Sequence, residues 1–305
     1  MKPVAIPGKA DSNPLNAAPV PQVPQDAERP LDVIAEKMEP CRTIVYKAVR
    51  SRSLSLHIFE PPGHSTTNRT PAFVTFHGGS WTSRTPRCFY PFVDHFAALG
   101  LVSISVEYRL LDEQAGWTVF DCARDARSAI RYLRAHAPEL GIDPKRIVVS
   151  GGSAGAHLAA GTALFDGMDE EGEDTSVSCR PDLLVLYYPV IDTSEAGYGQ
   201  SKIGERWREL SPVDHVRPGL PPTLVLHGTG DTVTPFAGTA RFHRLMKEAG
   251  NDCELIAFEG GRHGYFIFDL SLFAQAMTQT EEFLVKHGLP VDRRRLSIRG
   301  MGDVH

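Results

Sequence analysis

Short apolar segments alternate with longer segments of helical spacing through most of this 305-residue chain. The apolar segments predict strands, which are in chain order 43–49, 54–59, 72–76, 101–106, 146–150, 183–188, 223–227 and 253–258. The longer segments predict helices at 90–99, 119–137, 154–165, 236–249 and 271–287. The first two strands are predicted to pair antiparallel, and the later alternation predicts a mostly parallel α/β sheet with helices on both faces. Catalytic residues in such a fold follow the carboxyl ends of the strands.

Three segments interrupt this alternation. Residues 1–40 are rich in proline and are predicted to form an arm without much regular structure, ahead of a catalytic domain at 41–290. Residues 291–305 are predicted to be a polar tail with no core of its own. Within the domain, residues from about 190 to 220 contain several glycines, serines and prolines, and we expect them to form a lid or a wall of the pocket.

One serine lies in a setting typical of a nucleophile. The sequence Gly151-Gly152-Ser153-Ala154-Gly155 has the form G-x-S-x-G and joins a predicted strand to a predicted helix. The serine in such a turn is strained and exposed, and glycines are needed because side chains would collide with adjacent elements. The helix N-terminus directs its positive end to the place where negative charge would develop. Ser153 is therefore predicted to be the nucleophile of an acyl-transfer reaction.

A second glycine-containing segment, His77-Gly78-Gly79-Ser80-Trp81, follows the predicted strand 72–76. Acyl transfer requires backbone N–H groups close to the developing oxyanion, and glycines allow the backbone to approach that closely. The predicted donors are Gly78, Gly79 and Ala154. His77 is predicted to anchor the loop rather than to act as the base. Four residues are predicted to contact the substrate, namely Ser80, Trp81, Gly152 and Tyr188, and for Trp81 the alternative is that its ring packs the loop.

The acid and the base are predicted from the chain order of triads on this type of fold, which is serine, then aspartate or glutamate, then histidine. Asp231 lies in a turn after one predicted strand, and His263 lies in a glycine-flanked loop after the next. Glu259 is the alternative acid, although it lies too close to His263 in sequence to orient that ring easily. His157 and His227 are predicted to be packed, structural side chains. His263 would take the serine proton while Asp231 stabilises the imidazolium.

Composition changes this interpretation mainly by exclusion. The 32 basic and 37 acidic residues give a formal net charge of −5, which offers no electrostatic reason to expect nucleic acid or an anionic membrane as partner. No long apolar run or signal-peptide pattern is found, so we expect no stable membrane insertion. The five scattered cysteines are predicted to be free thiols in a reducing compartment, which favours the cytoplasm. A secreted or periplasmic location is the alternative if a leader has been removed.

Acidic residues outside the predicted triad are given structural interpretations. Asp121 and Asp125 lie in the predicted helix 119–137, and we expect them to cap it or to pair with nearby arginines. No HExxH motif or histidine pair with ligand spacing occurs, so no catalytic metal is expected. A cluster further along is predicted to be a solvated loop, with a calcium site as the alternative. The cluster consists of Asp169, Glu170, Glu171, Glu173 and Asp174.

Together these motifs resemble the α/β-hydrolase fold family over about residues 42–288, and most closely its esterase/lipase branch with the hormone-sensitive-lipase-like enzymes. That branch has HGGG and GDSAGG motifs, whereas here Ser80 replaces the third glycine and Gly152 replaces the acidic residue. The stretches are also similar to bacterial carbohydrate esterases that remove acetyl or feruloyl groups, and to kynurenine formamidases. The resemblance implies a hydrolase without a cofactor that acts on short acyl esters. The helical N-terminal cap of the branch is not evident in residues 1–40.

The leading hypothesis is a serine carboxylesterase that hydrolyses short acyl esters, including acetyl or feruloyl esters of carbohydrates, through an acyl-enzyme intermediate. An amidase, arylformamidase or peptidase that uses the same triad is the alternative. A hydrolase-fold binding protein without catalysis is a further alternative, but such proteins usually lack the serine, the histidine or the oxyanion glycines, and all of these are present here. The sequence leaves the oligomeric state open, with a homodimer among the alternatives.

Overall fold

One eight-stranded sheet runs through residues 29–50 and 52–292, which are the residues that the computed structural model describes. The pairs β1–β2 and β2–β4 are antiparallel and every other neighbouring pair is parallel, in the order β1-β2-β4-β3-β5-β6-β7-β8. The mostly parallel α/β architecture predicted from the sequence is therefore confirmed. The strands are β1 (Arg42–Val49), β2 (Arg52–Phe59), β3 (Thr70–Phe76), β4 (Val102–Val106), β5 (Ile142–Gly152), β6 (Leu183–Tyr187), β7 (Thr223–Gly228) and β8 (Cys253–Phe258).

Helices cover both faces of this sheet. Successive strand residues point to opposite faces, so Val148 and Val149 of β5 belong to two different hydrophobic clusters. Helices α2 and α8 pack on the face of Val148, whereas α3, α5 and α7 pack on the face of Val149. The helices are α1 (Pro30–Glu36), α2 (Tyr90–Ala98), α3 (Val119–Ala135), α4 (Ala137–Leu140), α5 (Ala154–Leu164), α6 (Gln200–Ile203), α7 (Phe236–Glu248) and α8 (Leu270–Lys286).

The two longest helices begin at residues with specific hydrogen bonds. Thr118 and Asp121 form a capping box at the start of α3, in which each side chain accepts from the other residue's backbone N–H. Asp269 precedes α8 and accepts from the N–H groups of Ser271 and Leu272. The capping role predicted for Asp121 is thus confirmed. These caps fix the helix starts and therefore the ends of the loops that precede them.

The N-terminal arm contains a helix that the sequence did not predict. Residues 1–28 of the arm lie outside the described residues, but α1 begins at Pro30. Proline is favourable there because the first turn of a helix leaves its N–H groups unpaired. Leu31 is 2% exposed and packs in the same cluster as Phe89 and Phe266. The prediction of an arm without much regular structure is wrong for α1, because an apolar anchor outweighs the proline content. Of the predicted tail 291–305, only residues 291 and 292 are described.

The strand that leads to Ser153 is longer than the sequence indicates. The dipeptide Asp143-Pro144 predicts a turn before a strand at 146, yet β5 begins at Ile142. The local turn is still present as an irregularity inside the strand, since Asp143 accepts from the N–H of Lys145 at 3.0 Å. The pairing with β3 shifts register at the same place. A turn signal here produces a bulge-like break because the apolar residues on both sides pair with the same neighbour.

The acidic cluster is attached to the domain by ion pairs. Asp169 lies 2.7 Å from Arg127 and 2.6 Å from Arg131, and Glu173 lies 2.7 Å from Arg131. The two arginines are four residues apart on α3, so they share one face of that helix. The prediction of a solvated loop is wrong for these carboxylates and for Glu170, which pairs with cations elsewhere in the sheet. In the described residues no group of three or more metal-binding side chains is placed to hold an ion.

The segment predicted as a lid or pocket wall is partly packed into the domain. Leu210 and Val213 are buried, and the Leu210 carbonyl accepts from His157 Nε2 at 2.7 Å. The segment contains α6 and two 3₁₀ turns, Trp207–Leu210 and Pro212–His215. Within the described residues, no helix has both the length and the apolar character needed to cross a bilayer. The five cysteines all lie in the described residues and carry free thiols.

Candidate active site

Ser153 lies on a strained turn between β5 and α5. Its backbone has φ +56° and ψ −121°, a conformation that residues other than glycine rarely adopt. The flanking glycines make this turn possible. A Cβ on Gly151 would lie 2.5 Å from the backbone of Gly155, and a Cβ on Gly155 would lie 2.0 Å from the Phe76 carbonyl oxygen. The Ser153 N–H donates to the Tyr187 carbonyl at 3.0 Å, which ties the turn to β6.

The structure brings Ser153, His263 and Asp231 together in one line of contacts. His263 Nε2 lies 2.9 Å from Ser153 Oγ, and His263 Nδ1 lies 2.7 Å from Asp231 Oδ2. The three residues follow β5, β8 and β7 at the same edge of the sheet, as parallel topology requires. His263 Nε2 therefore faces the Ser153 hydroxyl and Nδ1 faces the Asp231 carboxylate, the arrangement that a general base between a nucleophile and an orienting carboxylate needs.

Close contact between two loops sets the distance from Asp231 to His263. A Cβ on Gly228 would lie 2.0 Å from the Gly261 carbonyl oxygen, so a larger residue would push the loops apart. The Gly230 N–H donates to the same oxygen at 3.0 Å. Glu259, the alternative acid, is exposed at the start of the second loop. The backbone thus places Asp231, and not Glu259, against His263.

Asp231 is surrounded by uncharged donors and histidines. Oδ1 accepts from the N–H groups of Val233 and Thr234, both at 2.8 Å. Oδ2 lies 2.9 Å from the Thr234 hydroxyl, 3.0 Å from His227 Nε2 and 2.7 Å from His263 Nδ1. Burial alone would raise the pKa of Asp231, but the hydrogen bonds from His227 and His263 hold it well below its ordinary value. The carboxylate is therefore ionised while it is buried.

The predicted oxyanion loop lies beside the nucleophile. A Cβ on Gly78 would lie 3.3 Å from Ser153 Cβ, so the Gly78 backbone is in direct contact with the serine. Among the described residues, the N–H groups of Gly78 and Gly79 donate to no protein acceptor. Gly79 has φ +113°, and its carbonyl accepts from the N–H groups of Thr82 and Ser83. Ala154, the third predicted donor, follows Ser153 directly at the start of α5.

His77 anchors this loop to the core through its contacts with Tyr108. It is 1% exposed, its ring stacks on Tyr108 at 4.4 Å, and the Tyr108 hydroxyl donates to the His77 carbonyl at 2.7 Å. Burial lowers the pKa of His77 to about 4, so the ring is neutral near pH 7. His157 is likewise fully buried, with its pKa lowered by burial to about 4. Neither ring contacts Ser153 Oγ in the way that His263 does.

Two of the residues predicted to contact substrate hold the loop in place instead. Trp81 is fully buried, with its ring 5.9 Å from that of Tyr198 and 5.1 Å from that of His157. It offers no surface to a substrate in this structure, because the segment after β6 covers it. Ser80 Oγ lies 2.5 Å from the Tyr198 hydroxyl, which links the oxyanion loop to the same segment. Only the fold could show that this segment reaches Trp81.

The other two, Gly152 and Tyr188, lie next to the nucleophile. A Cβ on Gly152 would lie 2.6 Å from Tyr188 Oη and 2.9 Å from Phe89 Cζ. The Tyr188 ring meets the His263 ring edge to face at 5.1 Å. Tyr188 itself has φ +34° and follows β6 directly. The rings of Tyr188 and Phe89 therefore pack against Gly152, the residue directly before Ser153.

Sequence reasoning missed two features of this site. Thr234 contacts both Asp231 and His263 Nδ1, the latter at 3.1 Å. Its signal was the spacing from Asp231, because an aspartate often accepts from the residues two and three positions later in a turn. Helix α1 was also missed, although Asp32 forms an ion pair with Arg84 at the end of the oxyanion loop. No local pattern indicates a pairing between residues so far apart.

Several known proteins of similar sequence are named as esterases. The family model described as BD-FAE matches residues 56–246, more than half of the chain. The chain is 25% identical over 256 residues to the probable carboxylic ester hydrolase LipM of Mycobacterium tuberculosis, a match that covers 77% of the chain and 58% of LipM. The chain spans about half the length of the curated relatives it matches.

Solved structures of one esterase are similar over nearly their full length. Esterase 2 of Thermogutta terrifontis phosphoramylated by tabun is 39% identical with a TM-score of 0.78, and the match covers 82% of this chain and 95% of that one. The propionate-bound form of Est2 from the same species is 38% identical with a TM-score of 0.76, over 82% of this chain and 95% of that one. The chain therefore belongs to the BD-FAE family, within the esterase/lipase branch of the α/β-hydrolase fold.

Proposed function

We propose that this chain is a serine carboxylesterase that works through an acyl-enzyme intermediate. The proposal rests on the line of contacts from Asp231 through His263 to the Ser153 hydroxyl, at 2.7 and 2.9 Å. Relatives and structural neighbours named as esterases support an ester, rather than an amide, as the acyl donor. In this proposal Ser153 is the nucleophile and His263 is the base, and the oxyanion loop with Ala154 supplies the N–H donors that ester hydrolysis needs.

The first half-reaction acylates the serine. Ser153 Oγ attacks the carbonyl carbon of the ester while His263 Nε2 takes the hydroxyl proton, and the resulting oxyanion accepts from the N–H groups of the oxyanion loop and of Ala154. The C–O bond to the alcohol then breaks, and His263 gives its proton to the departing oxygen. In the second half-reaction water gives a proton to His263 and attacks the acyl carbon, which releases the carboxylic acid and returns the proton to Ser153.

We further propose that the acyl group is short. The rings of Phe89 and Tyr188 pack so closely against Gly152, directly before Ser153, that a Cβ there would collide with both, and in this proposal these two rings limit the length of the acyl group. Structures of the neighbouring Thermogutta terrifontis Est2 have propionate or butyrate bound, and this supports a similarly short chain here. An acetylated carbohydrate as the ester stays a prediction from the sequence.

The test uses p-nitrophenyl esters from acetate to laurate with the wild type and Ser153→Ala. We expect hydrolysis of the short esters, and a loss of roughly 10³-fold or more in kcat for the alanine variant. Acetate release from acetylated xylan decides whether a carbohydrate ester is a substrate. Wild-type cleavage of N-formylkynurenine without cleavage of any ester would overturn the esterase proposal in favour of an arylformamidase.

Two further measurements separate the parts of the proposal. Paraoxon should add a phosphoryl group to the wild type but not to Ser153→Ala, as read by intact-protein mass spectrometry; another neighbouring structure is this kind of adduct. Phe89→Ala should extend hydrolysis to longer acyl chains, because it removes one of the two rings that narrow the site. An unchanged chain-length profile would contradict the short-acyl proposal but leave the nucleophile assignment intact.

A further inference from the structure

A second histidine lies against the carboxylate of the candidate triad. His227 is the second-to-last residue of β7 and is fully buried. Its Nε2 lies 3.0 Å from Asp231 Oδ2, the same oxygen that His263 Nδ1 contacts at 2.7 Å. Its Nδ1 lies 2.7 Å from the hydroxyl of Thr239, which is also fully buried. The catalytic mechanism described above assigns no step to either residue.

The partners of His227 determine which of its ring nitrogens carries the proton. A carboxylate can only accept hydrogen bonds, so the nitrogen that faces Asp231 must be the donor in the neutral ring. Nδ1 then has a lone pair, and the Thr239 hydroxyl donates to it. The opposite tautomer would direct a lone pair at an anionic oxygen 3.0 Å away. Asp231 therefore fixes the tautomer of His227, and the Thr239 hydroxyl stabilises that tautomer by donating to Nδ1.

The two oxygens of Asp231 are held by different parts of the molecule. Oδ1 is fixed by backbone N–H groups of its own loop, whereas Oδ2 is fixed by side chains from β7 and from the residues that follow it. Without His227, Oδ2 would keep His263 and Thr234 as partners, and both of these are also needed elsewhere in the site. His227 is the partner of Oδ2 that contacts no other group of the triad.

We propose that His227, held by Thr239, is a positioning residue that orients the Asp231 carboxylate toward His263. It contacts neither substrate nor Ser153, and its effect passes through Asp231 alone. This inference rests on the proposed esterase mechanism, because it assigns Asp231 the task of orienting the base. Positioning partners of this kind typically change activity by roughly 10- to 100-fold, well below the effect of the residue that they orient.

The experiment compares His227→Leu, His227→Gln and Thr239→Val with the wild type on p-nitrophenyl acetate. Leucine fills the cavity without a donor, so we expect kcat to fall roughly 10- to 100-fold with KM nearly unchanged. Glutamine can donate its amide N–H to Asp231, and it should restore kcat to within about fivefold of the wild type. Thr239→Val keeps the His227 ring but removes the hydrogen bond to its Nδ1, so its kcat should lie between those of the two His227 variants.

A matched variant elsewhere separates positioning from simple loss of a buried contact. His95 on α2 lies 2.8 Å from Glu281 on α8, so His95→Leu also removes a histidine–carboxylate contact but far from the site. Its kcat should equal that of the wild type. The downfield proton resonance of the hydrogen bond between His263 and Asp231 should persist in His227→Gln and shift or broaden in His227→Leu.

The possible outcomes distinguish this inference from the proposed function. Wild-type kcat in His227→Leu, or a glutamine variant no better than the leucine variant, would overturn the positioning role while ester hydrolysis by the wild type still stands. An equal loss of kcat in His95→Leu would overturn it as well. If His227→Leu does not fold, Thr239→Val against His227→Gln gives the same decision. Failure of the wild type to hydrolyse any ester instead removes the proposed function.

Discussion

Two aspartate side chains in this molecule are completely buried, and their partners differ in charge. Asp125 on α3 accepts bidentate hydrogen bonds from the Arg109 guanidinium, at 2.8 and 2.7 Å, and lies 2.7 Å from Lys47 Nζ. Asp231 accepts from backbone N–H groups, a hydroxyl and two histidines. Both carboxylates lie out of water, with side-chain exposures of 0%. One is neutralised by cations and the other is stabilised by dipoles.

The difference shows what a buried carboxylate can do in each setting. The charge of Asp125 is cancelled by Arg109 and Lys47. These ion pairs hold α3 against β1 and against the segment after β4, and the paired charge exerts little electrostatic field on other groups. The charge of Asp231 is solvated by uncharged donors, so it remains available to stabilise positive charge on His263. We infer that the charge of the partners separates a structural carboxylate from a catalytic one here.

Asp231→Asn should have the largest effect on activity. The asparagine oxygen is needed at the Oδ1 position, where it accepts from backbone N–H groups, so the NH₂ takes the Oδ2 position and can only donate to the two histidines. The His263 ring then loses the tautomer that accepts the serine proton. We expect kcat to fall roughly 10⁴-fold. The midpoint of urea unfolding should change far less than it does in Asp125→Asn, because no cation is left unpaired. Nearly full activity in Asp231→Asn would show that His263 needs no orienting anion.

Asp125→Asn should show the opposite pattern. It removes the fully buried counter-charge of Arg109 and Lys47 and leaves them the partly exposed Glu170. Removing one partner of a buried pair typically costs about 3–5 kcal/mol in the free energy of unfolding, and we expect the lower end here because Glu170 remains. The measurement is urea denaturation followed by circular dichroism, with kcat normalised to folded protein. We expect that kcat to stay close to the wild-type value. A large fall in kcat with unchanged stability would break the distinction between the two aspartates.

Asp169 extends the comparison to a third carboxylate. Its partners are cations, as those of Asp125 are. Burial alone would raise its pKa, but hydrogen bonds from Arg127 and Arg131 lower it. The folded-state pKa is thus below the unfolded one, so its contribution to stability is present above roughly pH 4 and is lost as the pH falls through the folded-state pKa. Asp169→Asn should destabilise the fold by about 1–3 kcal/mol at pH 7.

The pH dependence supplies the control for Asp169→Asn. The difference in unfolding free energy between wild type and variant should shrink as the pH falls below about 4, because protonated aspartic acid and asparagine are both uncharged. Urea unfolding at several pH values measures this difference. A difference that stays constant from neutral to acidic pH would show that packing, and not the charge of Asp169, stabilises the segment.

The candidate triad was predictable from the sequence because each of its members follows a recognisable strand. Ser153 has a glycine motif, and His263 and Asp231 occur in the chain order that the fold allows. The alternation of apolar segments predicted the strands to within a few residues, except where Asp143-Pro144 suggested a turn. Signals of this kind are local in sequence, and the sheet then brings their positions together at one edge.

The features that sequence analysis missed depend on contacts between distant segments. Trp81 is buried only because the segment with Tyr198 lies over it, more than a hundred residues later. Asp169 is paired because its segment returns to α3 across α5. From composition alone, the segment with Tyr198 is described as a lid or pocket wall and the segment with Asp169 as a polar loop. Whether a polar or aromatic side chain is buried depends on which residues from distant segments pack against it, and no single segment of the sequence contains that information.

Thr234→Val gives the smallest effect and the sharpest test of stabilisation by uncharged donors. It removes one hydroxyl from Asp231 Oδ2, at 2.9 Å, and changes the volume of a buried residue very little. A hydrogen bond to a charged group contributes about 1.5–3 kcal/mol, and two other donors remain on that oxygen, so we expect kcat to fall only about tenfold. Thr234→Ser should keep the wild-type rate, since it keeps the hydroxyl. A fall in kcat for Thr234→Val as large as that for Asp231→Asn would mean that this one donor controls the carboxylate. A fall of only about tenfold is expected if several donors stabilise the carboxylate together.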